Sequence, residues 1–236
     1  MAVIFVTGID TGIGKTYVTG LMARFLVQKG FSVITQKLVQ TGCIGISEDI
    51  ILHRKIMGIE LTPYDKEGLT CPCVLSFPSS PHLAARLENK KVDIERIQEA
   101  TSILENKYDY VLLEGIGGVF VPLNESFTVL DFLVGRKYPV VVITSPRLGS
   151  INHTLLTMEA LAKRNIAILG LLYNNYPDEE QLIVNDSREL FQGLFQDIPL
   201  VSIPRFDPDR APLVDFSGVF RMQPQKAPSL QGKNGP

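Results

Sequence analysis

The sequence predicts an α/β fold: a single doubly wound, mostly parallel sheet with helices on both faces. Two observations carry this. Short runs rich in Val, Ile and Leu alternate along the chain with stretches of helical periodicity. Most of these runs lack the period-2 alternation of a half-exposed strand, as expected where a parallel sheet is covered on both faces. The first run also passes directly through a glycine-rich turn into a helix, which is how a βα unit of such a fold opens.

In order, strands are expected at Ala2–Thr7, Ser32–Gln36, Tyr108–Leu113, Pro139–Thr144, Ala167–Tyr173 and Leu200–Ile203. Helices are expected at Tyr17–Gln28, Glu48–Ile56, Asp93–Asn106, Ile151–Lys163 and Glu179–Leu194. The stretch Gly42–Ser80 is the least regular and reads as loops over the sheet edge. Residues 1–212 form one domain in this reading. From 213 to 236 the chain turns polar and Gly/Pro-rich, and a weakly ordered tail is expected there.

The chain has 236 residues, 45% of them hydrophobic, enough for a sizeable core. A net charge of −2 gives no case for nucleic acid or for an anionic membrane. No run approaches the length of a membrane-spanning helix, and the first apolar run has no basic segment before it, so it reads as a core strand and not a signal peptide. Cys43, Cys71 and Cys73 are an odd number without framework spacing. They read as free thiols of a reducing cytoplasm.

The residues with chemistry lie at the expected strand ends, where ligands bind in such sheets. Gly8-Ile-Asp-Thr-Gly-Ile-Gly-Lys15-Thr16 follows the first strand. Glycines let the backbone curl so that amide N–H groups of Gly12, Ile13 and Gly14 point inward, and the following helix adds its positive end. Lys15 would reach the outer phosphates of a nucleotide and the Thr16 hydroxyl would ligate magnesium. Five residues separate Gly8 from Gly14 where the usual pattern has four. A plain turn capped by Thr11 would not need Lys15.

Glu114 ends the third strand before Gly115, Gly117 and Gly118. A carboxylate there can hold magnesium against phosphates, whereas the bland reading is a helix cap or surface ion pair. Lys37 follows the second strand and would bring a second positive charge near Lys15, a repulsive pair unless an anion lies between them. Thr41 is a further hydroxyl, or an ordinary loop residue. Asp49 alone reads as a first-turn charge favoured by the helix dipole. Ser150 or a neighbour would cap a helix whose N-terminus, with Asn152, is either a plain cap or a carboxylate site. His53, His82 and His153 read as packing or capping residues.

Taken together, these residues resemble the dethiobiotin synthetases, the ATP-dependent enzymes of biotin biosynthesis, over roughly residues 3–206. The matches are Phe5-Val-Thr-Gly8 leading into Asp10-Thr-Gly-Ile-Gly-Lys-Thr16; Lys37 with Val39 and Thr41-Gly42; Glu48-Asp49; Ser80-Pro-His-Leu-Ala-Ala85; Glu114-Gly-Ile-Gly-Gly118 with Pro122-Leu123; Leu148-Gly-Ser-Ile-Asn-His-Thr-Leu-Leu156; Gly170 to Asn174; and Ile203-Pro204. Leu38 stands where proline is usual and Ser202 where glycine is usual. The resemblance implies a P-loop NTPase-like ligase that joins CO2 or bicarbonate to diaminopelargonic acid through a carbamate and a carbamic–phosphoric anhydride. It implies ATP as co-substrate, with Mg2+ held by Thr16, Asp49 and Glu114. Thr11, Lys37 and Thr41 would contact the carbamate end, with Lys37, Lys15 and Thr11 as the catalytic set. Asn174 with Asn175, Pro204 with Arg205, and Tyr17 would surround the nucleotide, beside Gly115 and Gly117. The family is a homodimer, and the Gly149, Ser150 and Asn152 turn would receive the substrate carboxylate across the subunit interface.

A second class shares the fold: partitioning-type switch ATPases that act on a protein partner. Those carry a signature lysine early in the phosphate loop, where this chain has Ile9, Asp10 and Thr11. Amidating synthetases of the cobyrinate type need a further glutaminase domain.

Overall fold

Burial accounts for the strands. Six of the seven residues of β1 (Ala2–Gly8) are buried, as are all five of β2 (Val33–Lys37) and all five of β6 (Val140–Thr144). The computed structural model describes residues 2–177 and 179–220. Between β1 and β2 lies α1 (Lys15–Gln28), and after β2 come β3 (Gln40–Thr41), α2 (Glu48–Met57), α3 (Pro63–Lys66), β4 (Val74–Leu75), α4 (Pro81–Leu87) and α5 (Ile94–Glu105). Then follow β5 (Tyr110–Glu114), α6 (Val129–Arg136), β6, α7 (Ser150–Ala162), β7 (Ile168–Asn174), α8 (Gln181–Leu194) and β8 (Leu200–Ile203).

The main sheet has the order β2-β5-β1-β6-β7-β8, and every neighbouring pair is parallel. β1 connects toward one edge, while β5 and β6 lead toward the other. Right-handed crossovers therefore put α1 on one face and α5 to α8 on the opposite face. The crevice where the direction reverses opens at the carboxyl ends of β1 and β5. Register matters here: Lys37 and Glu114, the last residues of adjacent strands, are direct partners, and Val6 faces Glu114 from the other side.

The expected strands and helices all form, with ends displaced by up to two residues. The second and third strands each begin later because Asp109 accepts from the Ser32 N–H (2.8 Å) and hydroxyl (2.7 Å), replacing ladder bonds with a side-chain clamp. Both strands extend one residue further than expected, to Lys37 and Glu114, which pair with each other. The Gly42–Ser80 stretch is more regular than expected. It contains α3, closed by a reciprocal capping box between Thr62 and Asp65, and β4, which pairs in parallel with β3. Outside that stretch, α4 and α6 also form; α6 starts with a second capping box, Thr128 with Asp131.

The tail expected from residue 213 is corrected for its first part. Phe216 is fully buried and packs edge-on to Phe25 of α1 at 5.6 Å; Phe220 stacks on the same ring at 6.1 Å and meets Tyr110 at 5.7 Å. A Cβ at Gly170 would sit 3.0 Å from Val219 Cγ2. This segment covers the α1 face of the sheet, which α1 and α2 alone leave open. The polar, Pro-rich run after residue 222 hid the apolar anchors Phe216, Val219 and Phe220 that precede it. Residues 221–236 lie outside the described residues.

Candidate active site

The phosphate loop runs from Gly8 to Gly14. Gly14 has φ +85° and caps α1, so Lys15 and Thr16 occupy the first helical turn. A Cβ on Gly14 would lie 2.3 Å from Asn174 Nδ2, and that amide donates to the Ile13 carbonyl at 2.7 Å. The end of β7 therefore clamps the loop. Ile13 is buried beneath Gly8 and contributes backbone only. Gly115 packs on the Phe5 ring, where a Cβ would meet Cζ at 2.7 Å, and Gly117 (φ +57°) brings its turn close to Thr11.

Beside the loop is a cavity of about 620 Å³, lined by Thr11, Gly12, Gly14, Lys15, Thr16, Tyr17, Lys37, Thr41, Asp49, Glu114, Gly117, Asn174, Pro204 and Arg205. The lining thus unites most of the residues singled out in the sequence. Asn175 is outside it; its backbone N–H bonds Ile203 O at 2.9 Å, tying β7 to β8. The Gly149–Asn152 turn is also outside it. Gly149 (φ +88°) caps α7, Asn152 is exposed, and the buried Ser150 hydroxyl lies 3.2 Å from that of Ser145. Within one chain the Ser150 hydroxyl thus faces the interior and not a ligand.

Four charged groups meet at the cavity floor. Lys37 Nζ lies 2.5 Å from Asp49 Oδ2 and 2.7 Å from Glu114 Oε1. Thr16 Oγ1 is 3.0 Å from Asp49 Oδ1 and 3.1 Å from Glu114 Oε1. Burial works against charge on Lys37, but Glu114 and then Asp49 hold its pKa well above the ordinary lysine value. Burial likewise opposes charge on Glu114, yet Lys37 and the His53 hydrogen bond keep it well below the usual carboxylate range. Lys15 behaves oppositely. Burial, reinforced by the Lys37 charge, lowers it to about 8, and its Nζ donates to the Asp10 carbonyl at 2.7 Å.

A divalent cation fits this donor set. Thr16 Oγ1, Asp49 Oδ1 and Glu114 Oε1 converge, and the single Thr16 proton can satisfy only one of the two carboxylate oxygens, with Glu114 Oε1 also accepting from Lys37 Nζ. Among the described residues no group of three or more His, Cys, Asp or Glu could hold a metal by itself. An ion here needs phosphate oxygens and water to complete its shell, which is how magnesium is usually held.

Two features escaped the sequence. Arg147, after β6, forms an ion pair with Asp10 of the phosphate loop, and His153 Nδ1 is 3.8 Å from the same carboxylate. His53 is fully buried, with Nε2 2.8 Å from Glu114 Oε2. Its signal was the spacing Asp49-x-x-x-His53, which sets both side chains on one helix face.

Parallel sheet, glycine loop at a helix N-terminus, lysine and paired carboxylates together define a phosphate-loop nucleotide-binding protein. A family model described as an AAA domain matches residues 2–207. The chain is 49% identical over 210 residues to the ATP-dependent dethiobiotin synthetase BioD 2 of Pasteurella multocida, spanning 85% of this chain and 99% of that one. It is 52% identical over 182 residues to the Haemophilus influenzae BioD 2 (77% and 95%), and 44% identical over 215 to the Chlorobaculum tepidum BioD (91% and 87%). The chain belongs to the ATP-dependent dethiobiotin synthetases. Among solved structures it is similar to the MinC:MinD complex of Aquifex aeolicus (TM-score 0.53, 16% identity, 87% of this chain and 82% of that one). It is also similar to a ParA family ATPase of Chlorobium tepidum (TM-score 0.51, 13% identity, 87% and 85%). At these identities the likeness concerns the fold alone. No helix among the described residues is long and apolar enough to cross a membrane.

Proposed function

We propose that the cavity joins diaminopelargonic acid, CO2 and ATP to give dethiobiotin, ADP and phosphate. One observation carries the assignment of roles: two buried lysines, Lys15 and Lys37, flank the floor beside Asp49 and Glu114. Such an arrangement suits two anions that must be driven together, a substrate carbamate and the γ-phosphate of ATP. The phosphates lie on the amides of Gly12, Ile13 and Gly14, with Lys15 against the β- and γ-phosphates. Thr16, Asp49 and Glu114 would hold magnesium, which neutralises phosphate charge when bound.

Thr11, Lys37 and Thr41 hold the carbamate. Its oxygen attacks the γ-phosphorus and ADP leaves, giving a carbamic–phosphoric anhydride. The neighbouring amine attacks the carbonyl carbon, the C–O bond to phosphate breaks, and the cyclic urea closes. A neutral amine is required for this step, and nearby lysine charge lowers amine pKa. The adenine lies among Tyr17, Asn174, Pro204 and Arg205, all of which line the cavity.

The protein works as a homodimer in this reading, with the Gly149–Asn152 turn of a second copy receiving the substrate carboxylate. Leu148 beside that turn is 98% exposed and Phe120 is 60% exposed, which supports a covered face. The three cysteines are free and buried, in keeping with a reducing cytoplasm. Lys37→Ala tests the assignment. Turnover should fall by roughly 10²–10³ or more, the scale for losing one transition-state charge stabiliser. ADP affinity should stay within a few fold, and a near-normal rate would refute the carbamate role.

A further inference from the structure

The two oxygens of Glu114 have different surroundings. Oε1 faces the cavity, 2.7 Å from Lys37 Nζ and 3.1 Å from Thr16 Oγ1. Oε2 turns into the protein and meets His53 Nε2 at 2.8 Å. His53 lies one helical turn after Asp49 on α2, fully buried. Its other nitrogen, Nδ1, is 3.0 Å from the hydroxyl of Thr35, which sits in β2 two residues before Lys37.

The proton positions follow from what each group can do. Arg54 Nη1 donates to Thr35 Oγ1 at 2.8 Å, and a guanidinium nitrogen can only donate. The Thr35 hydroxyl keeps its own proton to give, and Nδ1 is the acceptor within reach. Nδ1 therefore accepts, and the imidazole proton sits on Nε2, aimed at Glu114. Arg54 is in turn fixed by Asp65, with Nε to Oδ2 at 2.9 Å and Nη2 to Oδ1 at 2.8 Å. A directed chain of bonds runs from Arg54, which Asp65 anchors, through Thr35 and His53 to one oxygen of Glu114.

We propose that His53 is a positioning residue that commits Oε2 of Glu114 to the interior and leaves Oε1 alone to hold the metal of the ATP complex. The inference rests on Glu114 being a magnesium ligand. A carboxylate free to rotate could present either oxygen or both, whereas magnesium demands near-octahedral directions and tolerates little of this. Partners that orient a ligand in this way commonly set metal affinity by ten- to a hundredfold. Asp49 and His53 thus act from the same face of α2, one on the ion and the other through Glu114.

The test is Mn2+ binding to the protein with ADP, followed by electron paramagnetic resonance. His53→Met keeps volume and removes the donor; it should raise the Mn2+ dissociation constant about ten- to a hundredfold while ADP affinity in EDTA stays within about twofold. His53→Gln restores an N–H at similar reach and should recover most of the loss. Thr35→Val keeps the imidazole but removes the hydroxyl that orients it, and should also weaken Mn2+. Equal loss in His53→Met and His53→Gln would show a packing role and overturn the inference, as would wild-type Mn2+ affinity in His53→Met. If His53→Met does not fold, wild-type affinity in Thr35→Val overturns it alone. Glu114→Gln separates the two claims. If it leaves Mn2+ binding intact, the magnesium reading itself is wrong; if it abolishes binding while His53→Met keeps wild-type Mn2+ affinity, only the positioning role is wrong.

Discussion

Nucleotide binding without metal should take up a proton at alkaline pH, and Lys15 is the reason. In the free protein burial and the Lys37 charge lower Lys15 to about 8. A phosphate placed against it favours the charged form and raises that value. Below pH 8 the lysine is charged both free and bound, so affinity does not depend on it. Above pH 8 the free protein has lost the proton and binding must recover it. At pH 9 about nine-tenths of a proton is taken up, and the dissociation constant rises up to tenfold per pH unit until the bound-state pKa is reached. If the phosphate restores the ordinary lysine value of 10.5, the full effect is a loss of affinity of roughly two orders of magnitude. Lys37, held above the ordinary value by Glu114 and Asp49, keeps its charge through this range and does not blur the signal. The assay is calorimetric titration of ADP in EDTA, at pH 7 and pH 9, in two buffers of different ionisation enthalpy. Proton release at pH 9, or an ADP affinity unchanged from pH 7 to 10, would refute the reasoning.

Two further variants probe the frame. Phe216→Ala removes a fully buried ring from the segment that covers the α1 face, and should cost about 3–5 kcal/mol; urea denaturation checks this, and an unchanged midpoint would return that segment to a loose tail. Gly14→Ala puts a Cβ 2.3 Å from an Asn174 amide already bonded to Ile13, at a φ of +85°. The strain is worth about 1–3 kcal/mol, and ADP affinity measured by fluorescence should drop at least tenfold; wild-type affinity would contradict the clamp.

Much of this site was legible in the chain because its geometry is local. The phosphate loop is a single stretch, and Lys37 and Glu114 declare themselves as charges at the ends of apolar strands. Their pairing follows from parallel register, which places Lys37 opposite Glu114. His53 was not legible for the opposite reason. A histidine on a helix looks like core packing, and its meaning depends on Glu114, 61 positions away in another element. The ion pair of Asp10 with Arg147 has the same character. The final segment was misread because the polar, Pro-rich run after residue 222 dominates its composition, while the apolar Phe216 and Val219 before it find their place only on the face of the sheet. The irregular stretch hid short elements whose stability comes from caps, such as Thr62 with Asp65, more than from length.

The central claim is that a carbamate oxygen attacks the γ-phosphate in this cavity. Incubating the protein with ATP, magnesium, diaminopelargonic acid and oxygen-18 bicarbonate, under carbonic-exchange-free conditions, tests it directly by mass spectrometry of both products. The account predicts a cyclic urea and a phosphate that carries one oxygen-18, because the oxygen that bridges carbon and phosphorus leaves with phosphorus when the ring closes. Formation of no urea, or of phosphate without the label, would contradict it.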